Sequence, residues 1–379
     1  MAVKMIMHFI TSYANTMGAE RMLTNVLRDS RGEHVCVVAL VKITDRNRQL
    51  VSCPNIEYIG LGVRSSVGIP AAIMKLARLI RQRRPKVIVC WMYHAMAIGL
   101  VAARISGFGK HVIWNVRTSL DDLESLSSSA QMALQMCKRL SGSATAIMYN
   151  SHRSRDQHVS FGFSGKNDFV IPNGFELPIL ESVESRPPLV LGFAGRYHPA
   201  KDFDNLFESI ETAFNRHPRA TFIIAGRDVS ADTTEFIKHF RSQPSIAERI
   251  HFYGELRDMS AFYRRIDGLV LSSRVEGFPN VVGEAMSYGK PVISTDVGDA
   301  ARIVANTGFV VPPRRPDLLA KAIDDFLCLS ADDYTVLSGR ARQRIEREYQ
   351  LSVITDKYRH FIVSHCRTPT YPHSNRPVK

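Results

Sequence analysis

Short apolar runs alternate with amphipathic runs along most of this chain. The apolar runs predict strands, and the runs with a repeat near 3.6 residues predict helices. In the first half the predicted elements are strand 4–11, helix 18–28, strand 35–41, helix 70–83, strand 87–91, helix 95–105 and strand 111–116. Such regular alternation is typical of a parallel sheet with helices on both faces.

The alternation is interrupted by a polar, proline-containing link at residues 174–188 and resumes after it. Predicted strands follow at 189–194, 221–225, 250–253, 268–271 and 291–294. A chain of 379 residues is long enough for two domains with separate cores. We therefore expect an α/β protein with two doubly wound, Rossmann-like domains, residues 1–180 and 187–350, that face each other across a cleft.

Residues 87–103 contain no Asp, Glu, Lys or Arg and approach the length of a membrane span. Tyr93 and His94 interrupt the middle of this run, where an ionisable group would be costly in a bilayer. The pattern therefore favours a buried strand, a loop at His94 and then a helix. The six cysteines show no C-x-x-C pair and no histidine spacing suited to zinc, which indicates a reduced, cytoplasmic setting.

Positive charge is concentrated in the first half of the chain. Residues 1–180 contain 22 Lys and Arg against 11 Asp and Glu, so they hold +11 of the net charge of +13. Much of it lies on the amphipathic run 71–84, and a second amphipathic run covers 130–140. An anionic membrane would attract such a face by about 1 kcal/mol per cation, whereas solvated charge needs no partner, and both interpretations stay open. Nucleic acid is not expected, because no nucleic-acid-binding signature accompanies the charge.

Two glutamates flank a predicted helix start in the segment 273–289. An apolar strand ends just before them, and Pro279 with Asn280 signals the beginning of a helix. Glu276 is then expected on the loop, and Glu284 about one turn inside the helix. Free N–H groups at a helix start suit a diphosphate, and carboxylates accept hydrogen bonds from sugar hydroxyls. The alternative is one solvated loop acid and one ordinary helix acid.

Two cations precede another predicted helix start. Arg196 and Lys201 follow a strand, and Asp202 is a good N-cap for the periodic run 202–210. A lysine just ahead of a helix is unfavourable by about 0.3–1 kcal/mol, which a bound anion would offset. Together with the glutamate segment, this favours a sugar-nucleotide site over two solvated cations.

These segments, in this order, resemble the retaining nucleotide-sugar glycosyltransferases of glycosyltransferase family 4. The family's E-x7-E pattern matches Glu276 and Glu284, and its G-R-x(n)-K pattern matches Gly195, Arg196 and Lys201. Its V-I-P-N-G and G-A-E patterns match residues 170–174 and 18–20. Segments 91–95, 113–117 and 149–151 resemble a branch that builds bacterial surface polysaccharide such as O-antigen.

The resemblance implies the GT-B architecture, in which a last helix, here 351–365, returns to the first domain. The tail 366–379 has little to bury and is expected to be disordered. The implied reaction moves a hexose or N-acetylhexosamine from a nucleoside diphosphate sugar, with UDP favoured, to a lipid-linked glycan acceptor. The implied location is the cytoplasm, at the inner face of the plasma membrane through the basic first domain.

The resemblance also assigns roles in the second domain. Arg196 and Lys201 would stabilise the charge that develops on the diphosphate, together with the backbone N–H groups of Gly277 and Phe278 and of the turn after Asn280. Glu284 would hold the ribose hydroxyls. Glu276 would orient the transferred sugar, in a double displacement or in a same-face attack.

Three residues of the first domain join this site by resemblance. His94 matches a histidine that reaches the donor sugar, the alternative being a histidine satisfied within a packed loop. Gly18 would let the first loop approach the phosphates, although only one of the family's two glycines is present. Arg117 would contact a phosphate of the donor or acceptor, or else form a structural ion pair with Asp121 or Asp122.

Other enzyme classes are less favoured. The D-x-D pattern of metal-dependent transferases occurs at residues 202–204, but Lys201 beside it would repel a divalent cation. We therefore expect neither a metal nor a cofactor. Kinases and dehydrogenases are disfavoured because their glycine-rich motifs are absent. A sugar-nucleotide epimerase of the same architecture and a non-enzymatic nucleic-acid binder remain as alternatives.

Overall fold

Residues 5–15, 18–30, 32–121, 123, 126–180 and 186–365 are described in a computed structural model. The predicted tail 366–379 and part of the predicted link, 181–185, lie outside these residues. The described chain forms two parallel sheets with helices on both faces, as expected from the alternating pattern.

The first sheet has seven strands in the order β3-β2-β1-β4-β5-β6-β7. Its strands are β1 (Ile6–Ile10), β2 (Val35–Ala39), β3 (Ile56–Gly60), β4 (Val87–Trp91), β5 (Val112–Val116), β6 (Ala146–Tyr149) and β7 (Asp168–Val170). The helices are α1 (Gly18–Arg28), α2 (Asp45–Leu50), α3 (Ile69–Arg83), α4 (Tyr93–Ile105), α5 (Ser128–Leu140) and α6 (His152–Phe161).

The second sheet has six strands in the order β10-β9-β8-β11-β12-β13. Its strands are β8 (Val190–Ala194), β9 (Thr221–Ala225), β10 (Ile250–Gly254), β11 (Gly268–Leu271), β12 (Val292–Thr295) and β13 (Phe309–Val311). The helices are α7 (Phe203–Phe214), α8 (Thr234–Phe240), α9 (Pro244–Ala247), α10 (Ser260–Arg265), α11 (Asn280–Ser287), α12 (Ala300–Val304), α13 (Pro316–Leu327), α14 (Ala331–Arg344) and, after a π-helical turn at Ile345–Tyr349, α15 (Leu351–Ser364).

Each sheet is buried on both faces. Along β1, Met7 and Phe9 pack beneath α3, α4 and α5, whereas Ile6 and Ile10 join a separate core with α1 and α15. Alternate residues of a strand point to opposite faces, so an all-apolar strand feeds two cores at once. The last helix, α15, thus packs on the first sheet although it follows the second in sequence.

The chain crosses between the sheets twice, and the two crossings are hydrogen-bonded side by side. Phe175 donates its backbone N–H to Tyr349 at 2.9 Å and accepts one from Leu351 at 2.7 Å. Gly174 permits this approach, because a Cβ there would lie 2.8 Å from the Cα of Leu351. The cleft between the sheets opens beside these crossings.

Residues 87–103 form β4 and most of α4, as the sequence predicts. No helix in the described parts of the chain is long and apolar enough to cross a membrane. The expected loop at His94 is wrong: α4 already begins at Tyr93, and the sharp turn is made by Met92, with φ 68°. Strands β3, β6, β7 and β13 were not predicted: β6, β7 and β13 have only three or four residues, and β3, β7 and β13 carry partly exposed residues.

Candidate functional site

Glu276 and Lys201 form an ion pair at the carboxyl end of the second sheet. The Lys201 ammonium donates to the Glu276 carboxylate at 2.6 Å, and the Ser273 hydroxyl donates to the same oxygen at 2.8 Å. Both charged side chains are 17% exposed. Glu276 lies on the loop between β11 and α11, as predicted, and Lys201 lies just before α7. Two distant sequence segments therefore present a cation and an anion to the cleft.

Glu284 lies one turn inside α11, also as predicted, and its carboxylate is held from both domains. Tyr263 donates its hydroxyl to one oxygen at 2.8 Å, and Arg21 of α1 donates to the other at 3.1 Å. Burial raises the pKa of the Tyr263 hydroxyl well above its usual value, and the negative charge of Glu284 raises it further. The hydroxyl therefore stays protonated and remains a hydrogen-bond donor. The contact with Arg21 joins the first domain directly to the second.

Two cavities meet at Glu284. The smaller, about 260 Å³, lies between the start of α1 and the start of α11 and is lined by Gly18, Arg21, Asn173, Asn280 and Glu284. The larger, about 600 Å³, extends from Glu284 past Tyr263 toward the loop after β10. Gly18, at φ +35°, has open space where a Cβ would project. The geometry therefore offers room for a ligand on both sides of this carboxylate.

The residues between the two glutamates line the domain contact. Gly277 faces the first domain, where a Cβ would lie 3.2 Å from the Cβ of Ser119. The buried Phe278 ring stacks on Phe175 with centroids 6.2 Å apart. Asn280 begins α11 and accepts a hydrogen bond from Asn173 at 2.7 Å. These contacts fix the loop against both the first domain and the crossing segment.

Arg196 lies exposed on the loop after β8, and no carboxylate in the described chain pairs with it. The start of this loop packs closely against Gly226, because a Cβ on Gly226 would overlap the carbonyl oxygen of Gly195. The structure therefore places Arg196 on the same loop as Lys201 but does not join it to Glu276.

His94 is half-buried in the first turn of α4. Burial lowers its pKa, while a hydrogen bond with the backbone of Ser129 acts in the opposite direction. No described hydrogen bond or ion pair connects His94 to Glu276 or Lys201. Its predicted role toward the donor sugar stays a prediction.

Arg117 follows β5 and turns toward the last helix. Its guanidinium donates to the Tyr358 hydroxyl of α15 at 2.5 Å, to the backbone carbonyl of Ile171 at 3.4 Å and to the Asn173 side chain. Of the alternatives for Arg117, the structural ion pair with Asp121 is wrong, because Asp121 pairs with Arg153 instead. Asp122 lies outside the described residues.

The D-x-D carboxylates are engaged elsewhere. Asp202 occupies the N-cap position of α7 at φ 54°, but its carboxylate binds Arg274 at 2.8 Å rather than the helix, so the expected capping bond is wrong. Asp204 binds Lys238 at 2.8 Å. The two carboxylates thus pair with different cations, Arg274 and Lys238.

Four partners that hold the predicted residues in place were not predicted from the sequence, namely Arg21, Tyr263, Ser273 and Ser119. Two of them had a local signal. Ser273 precedes Glu276 by three positions, and Arg21 follows Gly18 by three positions on one helix face. Tyr263 and Ser119 become visible only in the folded chain.

Comparison with known proteins agrees with this fold. Residues 18–177 match the model of Glycosyltransferase Family 4, and residues 188–328 match that of Glycosyl transferases group 1. The lipopolysaccharide core biosynthesis mannosyltransferase LpcC of Rhizobium leguminosarum bv. viciae is 28% identical over 169 residues, 42% of this chain and 48% of that protein. The Vi polysaccharide biosynthesis protein VipC/TviE of Salmonella typhi is 36% identical over 97 residues, 25% of this chain and 16% of that protein. The chain thus spans about half the length, or less, of these curated relatives.

Solved structures share the same arrangement over nearly the whole chain. Anabaena Alr3699/HepE in complex with UDP aligns over 95% of this chain and 99% of its own, with TM-score 0.75 and 20% identity. The lipopolysaccharide outer core galactosyltransferase WaaB, in its apo form, aligns over 95% and 99%, with TM-score 0.70 and 19% identity. The two family models together cover the second sheet and every strand of the first except β1. The chain therefore combines a Glycosyltransferase Family 4 domain with a Glycosyl transferases group 1 domain, in the GT-B architecture.

Proposed function

We propose that this protein is a retaining, metal-independent glycosyltransferase of bacterial surface polysaccharide synthesis. It would move a hexose or N-acetylhexosamine from a nucleoside diphosphate sugar, with UDP favoured, to a lipid-linked glycan acceptor. The Lys201–Glu276 pair, on the loop that leads into α11 and Glu284, is the observation that carries the proposal. The mannosyltransferase relative and the UDP-bound structural neighbour support the substrate class.

The chemistry follows from where the charges lie. Departure of a nucleoside diphosphate leaves developing negative charge, which Lys201, Arg196 and the free N–H groups at the start of α11 would stabilise. Glu284 beside the two cavities would accept hydrogen bonds from the ribose, exchanging its contact with Arg21 for sugar hydroxyls. Glu276 would then face the transferred sugar, with His94 approaching from the first domain.

Metal independence is part of this proposal. The described residues include one group of potential metal ligands, namely His217, Asp324 and Cys328. Their ligand atoms all lie within 4.8 Å of one another. His217 precedes β9, at the edge of the second sheet opposite the cleft, and Asp324 already pairs with His217 at 2.7 Å and with Arg216 at 3.4 Å. This cluster is not positioned to act on a ligand in the cleft.

The first domain offers a surface suited to an anionic membrane. Helices α3, α4 and α5 cover one face of its sheet, and no Asp or Glu occurs from residue 58 to residue 120. Met74 of α3 and Met132 and Met136 of α5 are exposed on this layer beside Lys and Arg residues. Apolar side chains surrounded by cations are typical of interfacial binding, and a lipid-linked acceptor would be reached from that surface.

The proposal is tested by donor consumption and transfer. UDP-sugars should raise the melting temperature more than GDP- or ADP-sugars, and the protein should release UDP slowly without acceptor. Activity should persist in EDTA, and NMR of the product should show the anomeric configuration of the donor. Interconversion of donor isomers without acceptor would identify an epimerase instead. Absence of any nucleotide-dependent shift would contradict the assigned site.

Membrane binding needs its own measurement. Flotation with vesicles containing phosphatidylglycerol should recover the protein, while pure phosphatidylcholine vesicles should not. Substituting Met132 and Met136 by Ser should reduce recovery without lowering the melting temperature, since both side chains are exposed. Equal recovery with both lipids would contradict an electrostatic contribution.

A further inference from the structure

Asp299 of the second domain caps a helix of the first. It occupies the N-cap position of α12, yet its side chain makes no bond to that helix. Its carboxylate instead accepts hydrogen bonds from two backbone N–H groups at the start of α6, that of His152 at 2.9 Å and that of Arg153 at 3.2 Å. Asp299 is only 5% exposed. A carboxylate at a helix start satisfies free donors and complements the helix dipole.

The loop that carries Asp299 also contacts the loop that carries Glu276. Gly298, at φ +58°, precedes Asp299, and a Cβ on it would lie 2.8 Å from the carbonyl oxygen of Glu276 and 2.9 Å from that of Gly277. The residue before Asp299 therefore lies directly against the backbone of the predicted catalytic loop. A shift of Asp299 would move that backbone.

A second set of contacts connects α6 to the Glu276 loop. Arg153 binds the Asp121 carboxylate through its Nε at 3.1 Å, and Gln157 accepts the backbone N–H of Leu120 at 2.9 Å. These bonds fix the segment 119–121, whose Ser119 packs against Gly277. The contacts from Asp299 through the start of α6 and this segment to Gly277 form a closed ring, called here the interdomain clamp.

We infer that Asp299 is a positioning residue that couples domain closure to the placement of Glu276. The interdomain clamp holds the Glu276 loop from both sides only when the start of α6 meets Asp299. The inference rests on the proposed function, because it assigns Glu276 to the reacting sugar. It predicts that loss of the cap lowers turnover while nucleotide binding at Glu284 persists.

Three variants separate these effects. Asp299→Ala removes both acceptor oxygens, and Asp299→Asn keeps one. Asp296→Asn makes the same charge change on an exposed residue of the same loop, which lies close enough to Arg153 to interact with it electrostatically but makes no described hydrogen bond to α6, so this variant separates the charge from the hydrogen bonds. Displacement of a reacting group by about 1 Å costs about 100-fold in rate. We expect turnover to fall about 10- to 100-fold in Asp299→Ala and less in Asp299→Asn, with KM and the UDP-induced melting shift nearly unchanged. Asp296→Asn should match the parent protein.

A structural readout completes the test. Cys53 and Cys328 are exposed, one in each domain, and can carry spin labels in a Cys366→Ser background. With UDP bound, the distance distribution should broaden in Asp299→Ala and stay narrow in Asp296→Asn. Unchanged turnover, or lost turnover with an unchanged distribution, would overturn the inference. If the parent protein neither binds UDP nor consumes donor, the proposed function fails, while the distance distributions measured without nucleotide, which should also broaden in Asp299→Ala, still test the interdomain clamp.

Discussion

Arg21 of the first domain and Tyr263 of the second bind opposite oxygens of one carboxylate, that of Glu284. The Arg21 side chain is 60% exposed and that of Glu284 is 21% exposed, so the pair contributes about 0–1 kcal/mol. A ribose that approaches Glu284 would compete with Arg21 and not with the buried Tyr263. The contact across the cleft is therefore weak enough for a ligand to replace.

Removing Arg21 should release Glu284 for the nucleotide. We expect Arg21→Ala to tighten UDP binding by up to about fivefold, because about 1 kcal/mol of competing interaction is lost. Glu284→Gln should weaken UDP binding by tenfold or more. Calorimetric titration at low and high salt measures both, and the effect of Arg21→Ala should shrink at high salt. Lys110→Ala provides the same charge change on an exposed residue that precedes β5, at the edge of the first sheet opposite the cleft. Weaker binding in Arg21→Ala would mean that Arg21 itself contacts the nucleotide.

The Lys201–Glu276 pair should act as a unit. Glu276→Gln and Lys201→Met are each expected to lower donor turnover by about 100-fold, since each removes a charge that the proposed function places at the reacting centre. The double variant should be much less than additive, because either change already breaks the pair. Donor consumption measured by UDP release tests this. Lys321→Met, which breaks the exposed Lys321–Asp325 pair on α13, should leave turnover unaltered.

Gly226 and Gly339 should respond oppositely to alanine. A Cβ on Gly226 overlaps the Gly195 carbonyl oxygen, so Gly226→Ala should cost about 1–3 kcal/mol and displace the Arg196 loop. Gly339 lies inside α14 with open space around its Cβ position, so Gly339→Ala should stabilise by about 0.5–1 kcal/mol. Denaturant unfolding measures both. Equal stability of the two variants would show that the Gly195–Gly226 contact is not as close as described.

The free energy of unfolding should fall in acid because the buried, neutral His158 must take up a proton. Burial lowers the pKa of His158 to about 4 from its usual 6.5, and its ring bonds the Tyr93 hydroxyl at 2.7 Å. The unfolded chain therefore binds a proton at a higher pH than the folded chain does. The loss begins as pH drops below about 6.5 and is complete below about 4, amounting to roughly 3 kcal/mol.

Replacing the ring isolates this contribution. His158→Gln should flatten the dependence of the free energy of unfolding on pH between 6.5 and 4, although the substitution itself lowers stability at neutral pH. Part of the slope should remain, because burial also lowers the pKa of His8, to about 3. An identical slope in the variant and the parent protein would contradict the prediction.

The fold and the elements that carry the second-domain candidate residues were largely predictable because both depend on local pattern. Strand ends and helix starts are visible in sequence, so Glu276, Glu284 and Lys201 could be placed on their elements. Parallel strands bring those ends to one edge of the sheet. His94 was misplaced because Met92 makes the turn at a positive φ, which a methionine does not signal.

The contacts between domains were not predictable. Arg117 had Asp121 nearby in sequence, but it turns toward Tyr358, 241 positions away, because α15 returns to the first sheet. Asp299 gave no sign that it would cap α6. Which surfaces meet depends on how the two sheets pack against each other, and periodicity carries no information on that.

The paired crossings at Phe175 and Gln350 have a mechanical consequence. Two covalent connections tied together at one place act as a single pivot, so the lobes can swing about it but cannot easily slide past each other. Loop 276–280 lies beside this pivot, because Phe278 stacks on Phe175. Opening and closing should therefore follow one direction of travel, with the parts of the two lobes far from the pivot making the larger excursion.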